Sequence, residues 1–120
     1  MKKVTVNDIP RTEATAPLFT GNVGRQAILN PEDSNNFNFG IVAFPAGVRN
    51  KFHKHSGDQI LIVTEGTGKV ATDSEELEVT EGDVILIPAG ENHWHGAPDS
   101  TAMAHITITV NGSETEQTEA

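Results

Sequence analysis

Two short phrases hold most of the chemistry open to this chain. The first runs Gly47-Val-Arg-Asn-Lys-Phe-His53-Lys-His55-Ser-Gly-Asp-Gln59 and continues to Gly66. The second runs Gly82-Asp-Val-Ile-Leu-Ile-Pro88-Ala-Gly90-Glu-Asn-His93. Side chains two apart on a strand share a face, so His53 and His55 project together as neutral imidazole donors. A third imidazole arriving from a second strand would complete a metal site. The chain has no cysteine, so any metal must be held by nitrogen and oxygen donors.

A series of short strand-like runs, separated by turn signals, would have to carry these residues. Residues 39–44 end at Pro45-Ala-Gly47, and residues 59–64 end at Glu65-Gly-Thr-Gly68. Residues 69–72 turn through Asp73-Ser-Glu-Glu76 into residues 77–80. Glu81-Gly-Asp83 leads into residues 84–87, Pro88-Ala-Gly90 into residues 93–97, and Pro98-Asp-Ser100 into residues 101–110. This spacing is that of an all-β sandwich or barrel. Earlier in the chain, residues 18–21 and 25–29 read as short edge strands, and the Asn-, Asp- and Pro-containing stretch 30–36 reads as a loop. Beyond the first thirty residues no segment carries a helical period.

The 120 residues suit one domain. The expected division is a flexible amino-terminal arm over 1–15, a barrel over 16–110 and a flexible acidic tail over 111–120. The net charge of −9 argues against nucleic acid, because phosphate contacts need clustered Lys and Arg. Acidic residues gather between Asp73 and Asp83 and at Glu114, Glu116 and Glu119, which reads as solvated surface. The first residues lack the apolar run of a signal peptide, and no stretch is long enough to span a bilayer. No membrane association and a cytoplasmic location are therefore expected.

The two phrases resemble the paired motifs of the cupin superfamily. The first matches glycine, five residues, His-x-His, an acceptor, a spacer and glycine. The second matches glycine, five residues, Pro-x-Gly, two residues and His. The resemblance covers roughly residues 40–110 and implies a jelly-roll β-barrel, in agreement with the strand pattern. It also implies that His53, His55, Gln59 and His93 are ligands of a divalent metal: manganese, iron, cobalt, nickel or zinc. Four protein ligands leave positions open for a small-molecule substrate, the layout of a catalytic site. The chain departs from the common pattern at Gln59, where glutamate is usual. The amide supplies no negative charge, which favours Lewis-acid polarisation over oxygen activation and weakens metal retention. A second departure is Ala97, where many cupins place asparagine.

Two further histidines remain. His95 is either a neighbour of the ligands or an exposed residue at a strand end. In the last run, Ala102, Ala104, Ile106, Ile108 and Val110 alternate with Thr101, Met103, His105, Thr107 and Thr109. Periodicity alone sends the aliphatic face inward. The reverse holds if the barrel interior is a polar pocket and the aliphatic face is covered by a second copy, and a homodimer or higher homo-oligomer is expected on that ground. Arg49, Lys51 and Lys54 could steer an anionic substrate but read more simply as surface charge. Trp94 and Phe52 read as core or interface aromatics.

A closer resemblance joins Gln59-Ile-Leu-Ile-Val-Thr64-Glu-Gly66, His93-Trp-His-Gly-Ala97, Thr101-Ala-Met-Ala-His105 and Phe19-Thr-Gly21 to the bacterial manganese-dependent cupin hydroxynitrile lyases. It implies a lyase in which His105 is the catalytic base and manganese the metal, cleaving a cyanohydrin to a carbonyl compound and cyanide. Two alternatives stand beside it. One is a dioxygenase related to flavonol-cleaving cupins, and the other is a non-catalytic small-molecule-binding cupin.

Overall fold

The computed structural model describes residues 1–120. Ten strands carry the chain: β1 (Thr12–Ala14), β2 (Val23–Leu29), β3 (Phe37–Phe44), β4 (His53–His55), β5 (Gln59–Thr72), β6 (Glu76–Thr80), β7 (Val84–Ile87), β8 (His93–Gly96), β9 (Met103–Val110) and β10 (Thr115–Gln117). The helical content is one 3-10 turn, Val6–Asp8. No helix is long and apolar enough to cross a membrane. Every strand pairing is antiparallel, and the path runs β1-β2-β3-β9-β5-β8-β4-β10, with β6 and β7 also on β5. This is the all-β jelly-roll architecture expected from the turn spacing.

β5 belongs to both halves of the barrel. Its first half pairs with β9 and β7, and its second half with β6 and β8. The sequence suggested a turn at residues 65–68 separating two strands; the structure corrects this to one fourteen-residue strand. A register shift between Val63 and Glu65 and a positive φ of 70° at Gly66 bend the ladder without breaking it. Residues 18–21 form no strand, and only Phe19 makes an isolated bridge, to Asn50.

Alternation along the strands sorts side chains between two environments. Leu61, Val63, Val42, Phe44, Val70, Val79, Ile87 and Met103 turn inward and form the dry core. On β9 the polar parity faces inward: His105 is 1% exposed, and Thr107 bonds to Gln59 inside the barrel. Of the aliphatic parity, Ala104 is covered, while Ile106, Ile108 and Val110 are only partly buried or exposed, which resolves the alternation in favour of a polar interior. Ile106 and Ile108 pair with Ile62 and Ile60, which pair in turn with Val84 and Leu86. Val84 and Leu86 are more than 60% exposed.

Both terminal stretches, expected from composition to be flexible, have backbone partners. β1 pairs with β2, and the buried Gln26 amide donates to the Val6 and Ile9 carbonyls. β10 pairs with β4 across all three of its residues.

A Cβ added at Gly66 would lie 2.0 Å from the Ala102 carbonyl oxygen, whereas at Gly90, whose φ is also positive, it would meet nothing within 4 Å. Gly66→Ala should therefore cost about 3 kcal/mol, combining left-handed strain with a backbone clash. Gly90→Ala should cost about 1 kcal/mol. Urea unfolding of the two variants checks this, and equal losses would contradict the assignment of the bend to Gly66.

Candidate metal centre

The ligand phrases meet because strand register brings them together. His53 on β4 is directly opposite His93 on β8, so an imidazole from each phrase falls side by side. The turn that follows β7 fastens to the loop that follows β4: Gly90 N–H donates to the His55 carbonyl (2.8 Å) and Ala89 N–H to the Asp58 carboxylate (2.9 Å). Gln59 opens β5 and reaches the cluster from the opposite half of the barrel.

One nitrogen of each of His53, His55 and His93 lies within 4.8 Å of the others. His53 Nδ1–H donates to the Lys51 carbonyl (2.7 Å), and His93 Nδ1–H donates to the Glu91 carbonyl (2.8 Å). A carbonyl can only accept, so both rings carry their proton on Nδ1 and leave Nε2 with a lone pair. His55 Nδ1 meets the Thr115 hydroxyl at 2.9 Å, and its buried Nε2 has no hydrogen-bond partner. Gln59 Nε2 donates to Thr107 Oγ1 (2.9 Å), which turns Oε1 to within 3.1 Å of His93 Nε2.

Two acceptors facing each other at that distance, with a third unpartnered beside them, is a costly arrangement for neutral groups in a buried site. A cation makes it favourable. The donor set of three imidazoles and one neutral oxygen fits a divalent ion of the first transition row. The bonds to Lys51, Glu91, Thr115 and Thr107 are the outer contacts that orient such ligands.

His95 and His105 extend the row. His95 is 3% exposed and its ring lies 5.6 Å from that of His93, stacked at 13°, so it is an interior residue rather than an exposed strand end. His105 Nε2 lies 2.9 Å from His95 Nδ1. Asn50, which no local pattern marks, holds the His95 end of this pair. Its Oδ1 accepts the His95 backbone N–H (2.8 Å), so its Nδ2 faces the His95 ring as a donor, 3.2 Å from Nε2 and 3.4 Å from Nδ1. Donation to the nearer Nε2 puts the His95 proton on Nδ1, which then donates to the His105 Nε2 lone pair, while His105 Nδ1 is buried without a partner. Phe44 forms the floor, with its ring 5.9 Å from His95 and 5.5 Å from His105. A cavity of about 500 Å³ lies against β2 and β3, with Arg25, Asn38, Val42 and Thr107 among its walls; no histidine lines it, and Thr107, the partner of Gln59, is its link to the cluster. Asn38 Oδ1 is buried there without a partner.

The basic residues of the first phrase do not face this interior as a group. Arg49 forms a two-pronged pair with Glu119 (3.0 and 2.8 Å) and lies 5.0 Å over Trp94. Lys54 lies 3.5 Å from Glu116. Thr107 and Thr115 also escaped the sequence reading. Thr107 shares the inward parity of His105, a signal that was available, whereas nothing local marks Thr115.

Burial keeps the imidazoles neutral. Desolvation, with the neighbouring His93 second, lowers His53 to about 4, and desolvation lowers His105 to about 4. Desolvation also lowers His55 and His93, and lowers His95 well below its ordinary value. In the metal-free chain these groups are neutral when folded but titrate near 6.5 when unfolded. As pH falls below 6.5, the unfolded chain binds protons that the folded chain refuses. Stability present above 6.5 is therefore lost as the pH drops towards 4. The urea midpoint of metal-free protein should fall progressively between pH 7 and 4.5; a constant midpoint would refute the burial argument.

Comparison with known proteins places this geometry in a family. Residues 40–114, which include all four ligand candidates and His105, match the family described as Cupin domain. An (R)-mandelonitrile lyase of Granulicella tundricola is 37% identical over 94 residues, 78% of this chain and 72% of that protein. A cupin-like protein from Thermotoga maritima superposes with a TM-score of 0.86 at 31% identity, covering 92% of this chain and 86% of the other. The polyketide cyclase RemF of Streptomyces resistomycificus shares the fold at a TM-score of 0.88 and 17% identity, over 100% of this chain and 87% of its own. The motif spacing, the strand order and a family match over well more than half of the sequence agree: the chain belongs to the cupin family.

Proposed function

We propose that this protein is a metal-dependent cupin lyase that cleaves, and in reverse forms, small cyanohydrins, with manganese as its metal and His105 as its base. The observation that carries the reading is the adjacency of two different tools. A cluster of four inward-facing lone-pair donors is joined through the His95 ring to a buried, neutral imidazole, His105, whose Nε2 lone pair faces His95 Nδ1. The similarity to the Granulicella protein named (R)-mandelonitrile lyase supports the same chemistry. A divalent ion held by His53, His55, Gln59 and His93 would supply Lewis-acid polarisation of a substrate hydroxyl oxygen. Gln59 adds no negative charge, so that polarisation is not blunted by the protein.

The protein's own residues carry the proton. As substrate enters, His105 Nε2 exchanges its contact with His95 for the substrate hydroxyl and takes the hydroxyl proton as the carbon–nitrile bond breaks and its electron pair leaves with cyanide; the carbonyl forms, and His105 returns the proton to give hydrogen cyanide. Asn50 and His95 hold the base ring in the tautomer this requires. The cavity beside Thr107 receives the organic group.

Mandelonitrile cleavage should disappear on chelation, return with manganese, and proceed equally under nitrogen and air. His105→Ala should lower the rate by roughly 10²- to 10⁴-fold. Full activity in that variant with intact metal content would remove His105 from the mechanism, and a requirement for oxygen would favour the dioxygenase alternative. A metal-free preparation that binds its ligand unchanged would favour the non-catalytic alternative. Gln59→Glu should bind manganese more tightly yet cleave more slowly, and equal metal affinity would refute the charge argument.

The same reading includes a homodimer formed through the outer aliphatic face of β9, β5 and β7. Val84 and Leu86 sit there beside Ile60 and Ile62, and water contact with such a stripe is unfavourable. Leu86→Glu should shift the sedimentation of the protein towards the monomer. Wild-type protein that is monomeric at all concentrations would exclude the dimer.

A further inference from the structure

The three histidine ligands are not held alike. His53 and His93 each donate Nδ1–H to a backbone carbonyl two residues earlier on their own segment, Lys51 and Glu91. Those acceptors are local, cannot reverse their role and are present whenever the strand is formed. His55 has no such carbonyl. Its Nδ1 meets Thr115 Oγ1, from a residue 60 positions later in the chain. A hydroxyl can donate or accept, so this contact selects the Nδ1–H tautomer only when Thr115 is oriented to accept.

Its strand is as unevenly supported as its tautomer. β4 meets β8 at the single pair His53 and His93, whereas it meets β10 at three: Thr115 with His55, Glu116 with Lys54, and Gln117 with His53. Beyond β10, Thr118 and Glu119 N–H both donate to the Phe52 carbonyl (2.9 and 3.3 Å). The Glu119 carboxylate accepts from Phe52 N–H (2.8 Å) as well as from the Arg49 guanidinium. On the other side, Ser56 N–H donates to the Glu114 carbonyl (2.9 Å) and Gly57 N–H to Ser113 Oγ (3.1 Å). Residues 113–119 thus bind the chain on both sides of His53 and His55.

We propose that Thr115 is a positioning residue of the metal centre, its hydroxyl presenting His55 Nε2 to the ion, and that residues 113–119 are the strap that fixes the ligand strand. The inference rests on the reading of the histidine cluster as a metal site. It gives the acidic end segment a task that its composition does not suggest.

Thr115→Val keeps the shape and strand preference of the side chain but removes the hydroxyl, while Thr115→Ser restores one. Zinc affinity, measured by competition with a chromophoric chelator, should fall on the order of 10- to 100-fold in Thr115→Val and stay near wild type in Thr115→Ser. Nitrogen NMR of the metal-free proteins should show His55 as the Nδ1–H form in wild type and Thr115→Ser, and a tautomer mixture in Thr115→Val. Wild-type zinc affinity in Thr115→Val, or equal weakening in Val and Ser variants, would overturn the role of Thr115 while leaving the metal site standing. Wild-type protein that binds no zinc at all would overturn both.

Discussion

The geometry of the whole interior depends on β5 serving both halves of the barrel. One strand pairs first with β9 and β7 and then with β6 and β8, and the bend at Gly66 makes that exchange possible. Because both halves share a backbone, their inner faces hold a fixed distance. Residues that never pair with one another, Gln59 on one side and His93 on the other, then meet at 3.1 Å. The same closure sets His105 of β9 against His95 of β8. The close passage of Gly68 beside Gly96 and Met103 belongs to this constraint, since a Cβ there would lie 2.7 Å from the Gly96 carbonyl oxygen.

Within that frame the interior divides into a dry region and a polar one. Phe44 stands at the boundary, touching the rings of Phe19, His95 and His105. On the polar side every nitrogen of the ligand rings has an assignment: Nδ1 is engaged outward and Nε2 converges inward. Burial without a counter-charge keeps the rings neutral, which is the state both a metal ligand and a general base need.

Much of this was legible beforehand because the information was local. Turn residues at regular spacing revealed the strands, and the two phrases carried His53, His55, Gln59 and His93 in recognisable intervals. What the sequence left open was non-local. Alternation on β9 was clear, but which face turned inward depended on the polar character of the opposing strands, and the aliphatic face turned out to be the outer one. The split of β5 into two strands failed because a Gly-Thr-Gly stretch reads as a turn, while at Gly66 it is a bend within a continuous ladder. Asn50, Thr107 and Thr115 were missed for a shared reason. Single polar residues acquire a role only through partners 45, 48 and 60 positions away.

The pairing of β10 with β4 also has a meaning in time. His55 leaves the ribosome about sixty residues before Thr115, an interval of several seconds at ordinary synthesis rates, about 5–20 residues per second. During it the first histidine pair exists without the strand that borders it, and Gln59, His93 and His105 arrive in turn. The nascent chain therefore offers only scattered, weakly held imidazoles, and the full complement of donors is assembled late. The last orienting contact of the cluster is thus made only after all four of its donors are already present.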